Sequence, residues 1–367
     1  MKLFNCQHCS ALLFFENHSC ESCASPLGYM PDRGGLEALV PDREGDRGGD
    51  TFTLVSDPMV RVRRCRNARH DVCNWLMQAD GDEAFCIACR HNRTIPNLAD
   101  PADMLLWRKL EAAKHRLFYS LVRLGVRLAN RIDDPAEGLV FDFLDDRSGK
   151  PRVLTGHKGG VITIAIQEAD DAHREEMRNQ MHETYRTLLG HFRHEVGHWI
   201  WDRLIRDGDR LAACREVFGD DTVDYGAALD RHYREGPPPD WQNAYISSYA
   251  TSHPWEDFAE TWAHYLHIMD TLETANAFGM GVHPKVEQSS SLTVEVAIDP
   301  YRSVTMKPIV DQWLPLTFAM NNLNRSMGLA DLYPFIITDP VRTKLGFIHQ
   351  MLQETRRDLP GAATLEG

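Results

Sequence analysis

The stretch LLGHFRHEVGHWIWDRLI, residues 188–205, decides how this chain is read. Leu188, Phe192, Val196, Trp199, Ile200 and Arg203 recur at helical spacing, so the segment predicts an amphipathic helix with one core face. His194 and His198 stand four apart on an adjacent face, and His194, Glu195, Val196, Gly197, His198 match HExxH. Side chains four apart on a helix have Cβ atoms about 5–6 Å apart, so both imidazoles reach one zinc at about 2.0–2.1 Å. Glu195 then projects beside the metal. Its carboxylate can take a proton from a metal-activated water and pass it to a leaving amine, which is what peptide hydrolysis requires.

Such a zinc needs a third protein ligand and one open position. Trp201 and Leu204 stand where HExxHxxGxxH has Gly and His, so the third ligand must come from another segment. SSYATSHPWEDFAETWAHYLHI, residues 247–268, predicts a second helix, with Pro254 in its first turn and Trp255, Phe258, Ala259, Trp262 and Leu266 on its core face. Glu256, Glu260 and His264 form a separate stripe at spacing four. By spacing alone either Glu256 or Glu260 can supply the ligand, and Glu256 also suits the helix dipole. Asp224, in DTVDYG, is a weaker candidate, and His191 suits packing.

HEVGH followed about 50 residues later by Tyr249, ATSHPW, Glu256 and DFAE resembles the gluzincin metallopeptidases, especially their lethal-factor-like branch. That resemblance implies Glu256 as the third zinc ligand and Tyr249 as a hydroxyl stabilising the oxyanion. It also implies that Glu260 holds a liganding histidine from behind. Nearly the whole chain is also similar to a bacterial family of zinc-binding metallopeptidases with an N-terminal zinc-ribbon region. The matching stretches are CNWL at 73–76, CRHNRTIPNL at 89–98, EAD at 168 through the HEVGH helix, EDFAETWAHYL, and LYPFII at 332–337.

Eight of the nine cysteines fall in the first 89 residues. Cys6, Cys9, Cys20 and Cys23 form two CxxC knuckles, a spacing that delivers four thiolates to one structural zinc. Cys65, Cys73, Cys86 and Cys89 predict a second such site, in which His70 or His91 can replace a thiolate. Cys214 is left over and suits a buried position on a helix. The expected complement is one catalytic and two structural Zn²⁺.

The predicted fold is α+β: a zincin-like domain over 100–367, mostly helical with a small sheet, preceded by a zinc ribbon at 1–30. Between them, residues 31–99 hold a second zinc-binding region of four cysteines, which PDRGGLEALVPDREGDRGGD (31–50) enters as a linker. A helix is expected through Leu106, Leu110, Leu117, Leu121 and Leu124, then paired strands at 138–144 and 161–166. Helical pattern follows from Asp170 to Gly190, through the 190s to Gly208, at 255–274 and at 333–351.

Forty basic and 53 acidic residues give a net charge of −13, which argues against generic attraction to nucleic acid or an anionic membrane. No run approaches the 18 or so apolar residues of a membrane span, and two cysteines interrupt the N-terminus where a signal peptide would be apolar. A cytoplasmic protein is expected. The run Arg61, Arg63, Arg64, Arg66, Arg69 could grip phosphates, yet the first hundred residues hold 11 basic against 14 acidic side chains. The function expected is therefore a zinc metallopeptidase acting on a protein or peptide, with Glu195 as general base. The alternative is a zinc-ribbon adaptor for protein or nucleic acid, or a protease of DNA–protein crosslinks resembling the Spartan-like enzymes.

Overall fold

The computed structural model describes residues 1–42, 50–145, 147, 153–180, 185–285 and 290–357. The fold is α+β and divides into two compact units, Met1–Arg123 with Arg127–Met177, and Leu124–Val126 with Arg178–Gly367.

In the first unit a short hairpin of β1 (Phe4–Asn5) and β2 (Leu12–Leu13) carries the N-terminal knuckles. An antiparallel meander follows, built from β3 (Leu27–Met30), β4 (Gly35–Pro41), β5 (Thr51–Leu54), β6 (Arg61–Arg64) and β7 (Leu76–Gln78). Strand β4 corrects the expected linker. Leu36, Ala38 and Leu39 are buried in it, and the Gly and Pro ahead of it make a hairpin turn: a 3-10 turn at Pro31–Arg33 ends on Gly34 in the left-handed region, φ 57°. The rest of that stretch, 43–49, lies outside the described residues. Met30, Leu39, Phe52, Leu54, Val62 and Leu76 close one core on this sheet.

The expected helix is α1 (Pro101–Arg123), whose Trp107, Leu110, Leu117, Phe118 and Leu121 are buried. The two expected strands are β9 (Val140–Leu144) and β11 (Val161–Ala165), and they pair in parallel. Strand β8 (Asn92–Thr94) lies parallel on the far side of β9, and β10 (Gly156–Lys158) antiparallel on β11. Because β8 leaves the second cysteine region directly into this sheet, the compact units do not part at residue 100 as expected. Instead α1 and the four-stranded sheet group with the cysteine regions.

The helical pattern after Asp170 is broken. Helix α2 (Asp171–Gln180) is followed by 181–184, which lie outside the described residues; 185–187 are not helical, and Thr187 caps a new helix by accepting the Gly190 N–H at 3.0 Å. That helix, α3 (Leu188–Trp201), runs on through a π-helical turn at Asp202–Arg206. The second unit continues with α4 (Leu211–Phe218), α5 (Tyr225–Glu235) and α6 (Pro254–Ala277). It closes with the pair β12 (Gly281–Val282) and β13 (Val294–Glu295), then α7 (Met306–Ser326) and α8 (Asp339–Arg357). Helix α7 carries Pro315 inside it, a residue that weakens the sequence signal, and the last helix begins six residues after Tyr333.

Helix α6 forms the centre of this unit. Phe258, Ala259, Trp262, Tyr265, Leu266, Ile268, Met269 and Leu272 are all sealed from solvent. Gly197 is what lets α3 approach it. A Cβ at that position would stand 3.0 Å from Ala259 Cα and 3.0 Å from Trp262 Cδ1, so a larger residue would force its neighbours to give by a few tenths of an ångström. Among the described residues, no helix is long and apolar enough to cross a membrane.

Candidate metal centre

Close approach at Gly197 sets the HExxH face of α3 against the first turn of α6. The first turn is fixed locally: Pro254 occupies its start, and His253 Nδ1 accepts the Trp255 N–H at 3.0 Å. His194 Nε2 then lies 3.0 Å from Glu256 Oε2, His198 Nε2 lies 3.3 Å from the same oxygen, and the two Nε2 atoms are 3.2 Å apart. Glu256 is almost wholly buried.

Glu260, one turn further along α6, hydrogen-bonds His194 Nδ1 through Oε1 at 2.6 Å. Since a carboxylate only accepts, Nδ1 carries the proton and Nε2 presents a lone pair to the centre. Burial works to raise the Glu260 pKa, and the hydrogen bond and charge of His194 outweigh it, bringing it to about 2. Burial likewise opposes ionisation of Glu256, yet the two imidazoles hold it well below the usual carboxylate range. Two nitrogens and a carboxylate oxygen crowded together in this way form a group that could hold a cation. Ligand atoms about 2.0–2.1 Å from a tetrahedral zinc lie about 3.3 Å from one another, close to the observed spacing.

Glu195 is buried beside this trio. Burial raises its pKa, and His194 and His198 pull it back down. The Tyr249 ring lies 5.9 Å from that of His194, and burial together with the charge of Glu256 pushes its hydroxyl pKa up, so it stays protonated. Asp224 is not at the centre: it caps α5 by accepting the Ala227 N–H at 2.7 Å.

Three further residues that spacing did not reveal support the centre, two touching the trio and one touching Glu260. Tyr225 donates its hydroxyl to Glu256 Oε1 at 2.6 Å, and Ser247 donates to Glu260 Oε2 at 2.6 Å. Trp255 covers His198, with ring centroids 3.7 Å apart. Tyr225 opens α5 and Ser247 lies in the loop ahead of α6, outside any periodic stripe, and no sequence signal marks them. Trp255 was legible only as a core residue.

In the first unit, Cys6, Cys9, Cys20 and Cys23 converge, with Cys6 to Cys23 at 3.7 Å and Cys9 to Cys20 at 3.6 Å between sulfurs. Each knuckle folds back on itself. Ser10 and Ala24, the residues that follow the second cysteine of each CxxC, take positive φ of 63° and 59° and donate their N–H to the Cys6 and Cys20 carbonyls. Cys65, Cys73, Cys86 and Cys89 converge as well, all buried, with Cys73 and Cys86 3.7 Å apart. Thiolates about 2.3 Å from a tetrahedral zinc stand about 3.8 Å apart, so both tetrads fit zinc ribbons.

Neither histidine joins the second tetrad. His91 donates Nδ1–H to the Leu139 carbonyl at 2.7 Å, and burial lowers its pKa to about 3. His70 lies against Trp107, with centroids 5.7 Å apart. His115 of α1 approaches Cys89 instead, Nε2 to Sγ 3.7 Å, beside the fully buried pair of Lys114 and Glu111, 2.8 Å apart. Cys214 is buried on α4. Three arginines of the run are engaged: Arg61 pairs with Asp42 at 2.8 Å, Arg63 donates to the Gly81 and Glu83 carbonyls, and Arg64 lies over the Phe52 ring, while Arg66 and Arg69 are exposed.

Comparison with known proteins agrees with both halves of this picture. Residues 3–100 match a zinc-ribbon domain model, and residues 103–351 match the family described as "putative zinc-binding metallo-peptidase". An uncharacterized protein of Mycobacterium bovis is 41% identical over 363 residues, covering 99% of this chain and 98% of its own. Uncharacterized proteins from two strains of Mycobacterium tuberculosis match with the same identity and coverage. No solved structure matches. With its family model spanning more than half of its residues, the chain belongs to this zinc-binding metallo-peptidase family, with a zinc-ribbon domain ahead of the family region.

Proposed function

We propose that the protein is a zinc-dependent peptidase whose centre is His194, His198 and Glu256. The observation that carries this reading is the convergence of two imidazole nitrogens and one carboxylate oxygen within 3.0–3.3 Å, backed by the Glu260 carboxylate on His194. His194, His198 and Glu256 would hold the zinc, which would supply the Lewis acidity that acidifies a water and polarises a carbonyl. Glu195 removes the proton from the attacking water and returns it to the nitrogen of the leaving amine. Its buried setting suits the task, because a base whose pKa is raised towards neutrality can both take and release the proton. Tyr249, whose ring lies 5.9 Å from that of His194, keeps its hydroxyl hydrogen and would donate it to the developing oxyanion. The two cysteine tetrads hold structural zinc and shape the first unit.

The substrate class is protein or peptide. Arg61, Arg63 and Arg64 are engaged by a carboxylate, two carbonyls and a ring, which favours a peptidase over a nucleic-acid adaptor. Separating ligand from base tests the reading. Glu256→Ala should lose zinc and hydrolysis together, since it removes a bond to the metal. Glu195→Gln keeps all three ligands, so zinc should stay while hydrolysis drops by about two orders of magnitude or more. Glu195→Gln with full activity would refute the assignment.

A further inference from the structure

Helix α5 is unusual in this unit for how little holds it. Of its eleven residues only Ala228 is buried. It is flanked by Gly219 at φ 100° and by Gly236 at φ 76°, the latter followed by three prolines, Pro237 to Pro239. Its ties converge on the metal centre instead. Tyr225, the first residue of the helix, donates to Glu256 Oε1 at 2.6 Å, and its ring meets those of His253 and Trp255 at 5.3 and 5.5 Å. The preceding Val223 carbonyl accepts from His253 Nε2 at 3.0 Å, and His232 Nδ1 lies 3.3 Å from Thr251 Oγ1.

The Glu256 carboxylate is therefore divided. Oε1 is taken by Tyr225, and Oε2 faces His194 and His198. Without the Tyr225 hydroxyl, a buried oxygen would lose its donor and the carboxylate could rotate to share both oxygens with the centre. We propose that Tyr225 is a positioning residue for Glu256, and that docking of α5 and zinc occupancy are coupled through this one hydrogen bond. The coupling is reciprocal by thermodynamic linkage: if a docked α5 strengthens zinc binding, bound zinc must favour the docked helix by the same factor. This inference rests on the assignment of His194, His198 and Glu256 as zinc ligands.

The test uses the full chain, with zinc affinity of the third site measured by chelator competition and amide hydrogen exchange followed over 225–235. Tyr225→Phe keeps the ring and removes only the hydroxyl. It should weaken zinc at that site by roughly tenfold or more, as the loss of a hydrogen bond behind a metal ligand does. In the wild type, adding zinc should slow exchange in α5, and in Tyr225→Phe it should not. Tyr225→Ala should bind zinc no more weakly than Tyr225→Phe by more than a few-fold. Wild-type affinity in Tyr225→Phe with loss only in Tyr225→Ala would assign the effect to ring packing and overturn the proposal. Unchanged exchange on adding zinc to the wild type would overturn the coupling. A wild-type chain that binds zinc only at its cysteines would instead defeat the ligand assignment, a distinct failure.

Discussion

At the scale of single residues the centre works by division of labour among carboxylates that the sequence makes look alike. Glu195, Glu256 and Glu260 share two helices, yet one lies buried beside the trio, one faces both imidazoles and one orients His194 from behind. Glu260→Ala should lower zinc affinity at this site by about ten- to a hundredfold, because His194 then loses the acceptor that fixes its proton on Nδ1. Chelator competition measures it. If Glu260→Ala abolishes both zinc and activity while Glu256→Ala keeps them, the ligand is one turn further along α6. Four-residue spacing on a helix made legible which side chains share a face, but the choice of Glu256 over Glu260 as ligand came from the resemblance to gluzincins. Tyr225 and Ser247 were not legible: their partners lie 31 and 13 residues away, and only the folded path of the chain brings them together.

Elements matter through how closely they can approach. Gly197 sits in the variable part of HExxH, where the motif makes no demand, and its contact with Ala259 decides how near α6 comes. Gly197→Val puts carbon where 3.0 Å remains, so it should cost about 1–3 kcal/mol in a denaturant titration. The same variant should lose zinc from the third site while its cysteine sites stay loaded, because Glu256 moves away with α6. Strands were harder to read than helices. The β9 and β11 segments announced themselves as apolar runs, but β4 was hidden in a stretch rich in Gly, Pro, Asp and Arg, where Leu36, Ala38 and Leu39 supply its buried apolar side chains. Helix α7 was masked by Pro315 and the broken pattern after Asp170 by an absence of Gly or Pro that suggested one continuous helix.

At the scale of the whole molecule, the two cysteine tetrads and the trio of His194, His198 and Glu256 differ in how well they are enclosed. Elemental analysis should find close to three zinc per chain. Mild chelation should take first the metal at His194, His198 and Glu256, whose site keeps an open position, then that at Cys6, Cys9, Cys20 and Cys23, where Cys9 is exposed. The metal at Cys65, Cys73, Cys86 and Cys89, all buried, should leave last. A chain with one zinc or none would contradict the two-ribbon reading. The central claim is that His194, His198 and Glu256 hold a metal that cuts peptide bonds with Glu195 as base. Its most direct test is digestion of an unbiased peptide library by the zinc-loaded chain, with the products read by mass spectrometry and Glu195→Gln run alongside at matched zinc content. The account predicts new peptide termini from the wild type and about a hundredfold fewer, or none, from the variant. Equal cleavage by both proteins, or no cleavage by a wild type carrying its full zinc, would contradict it.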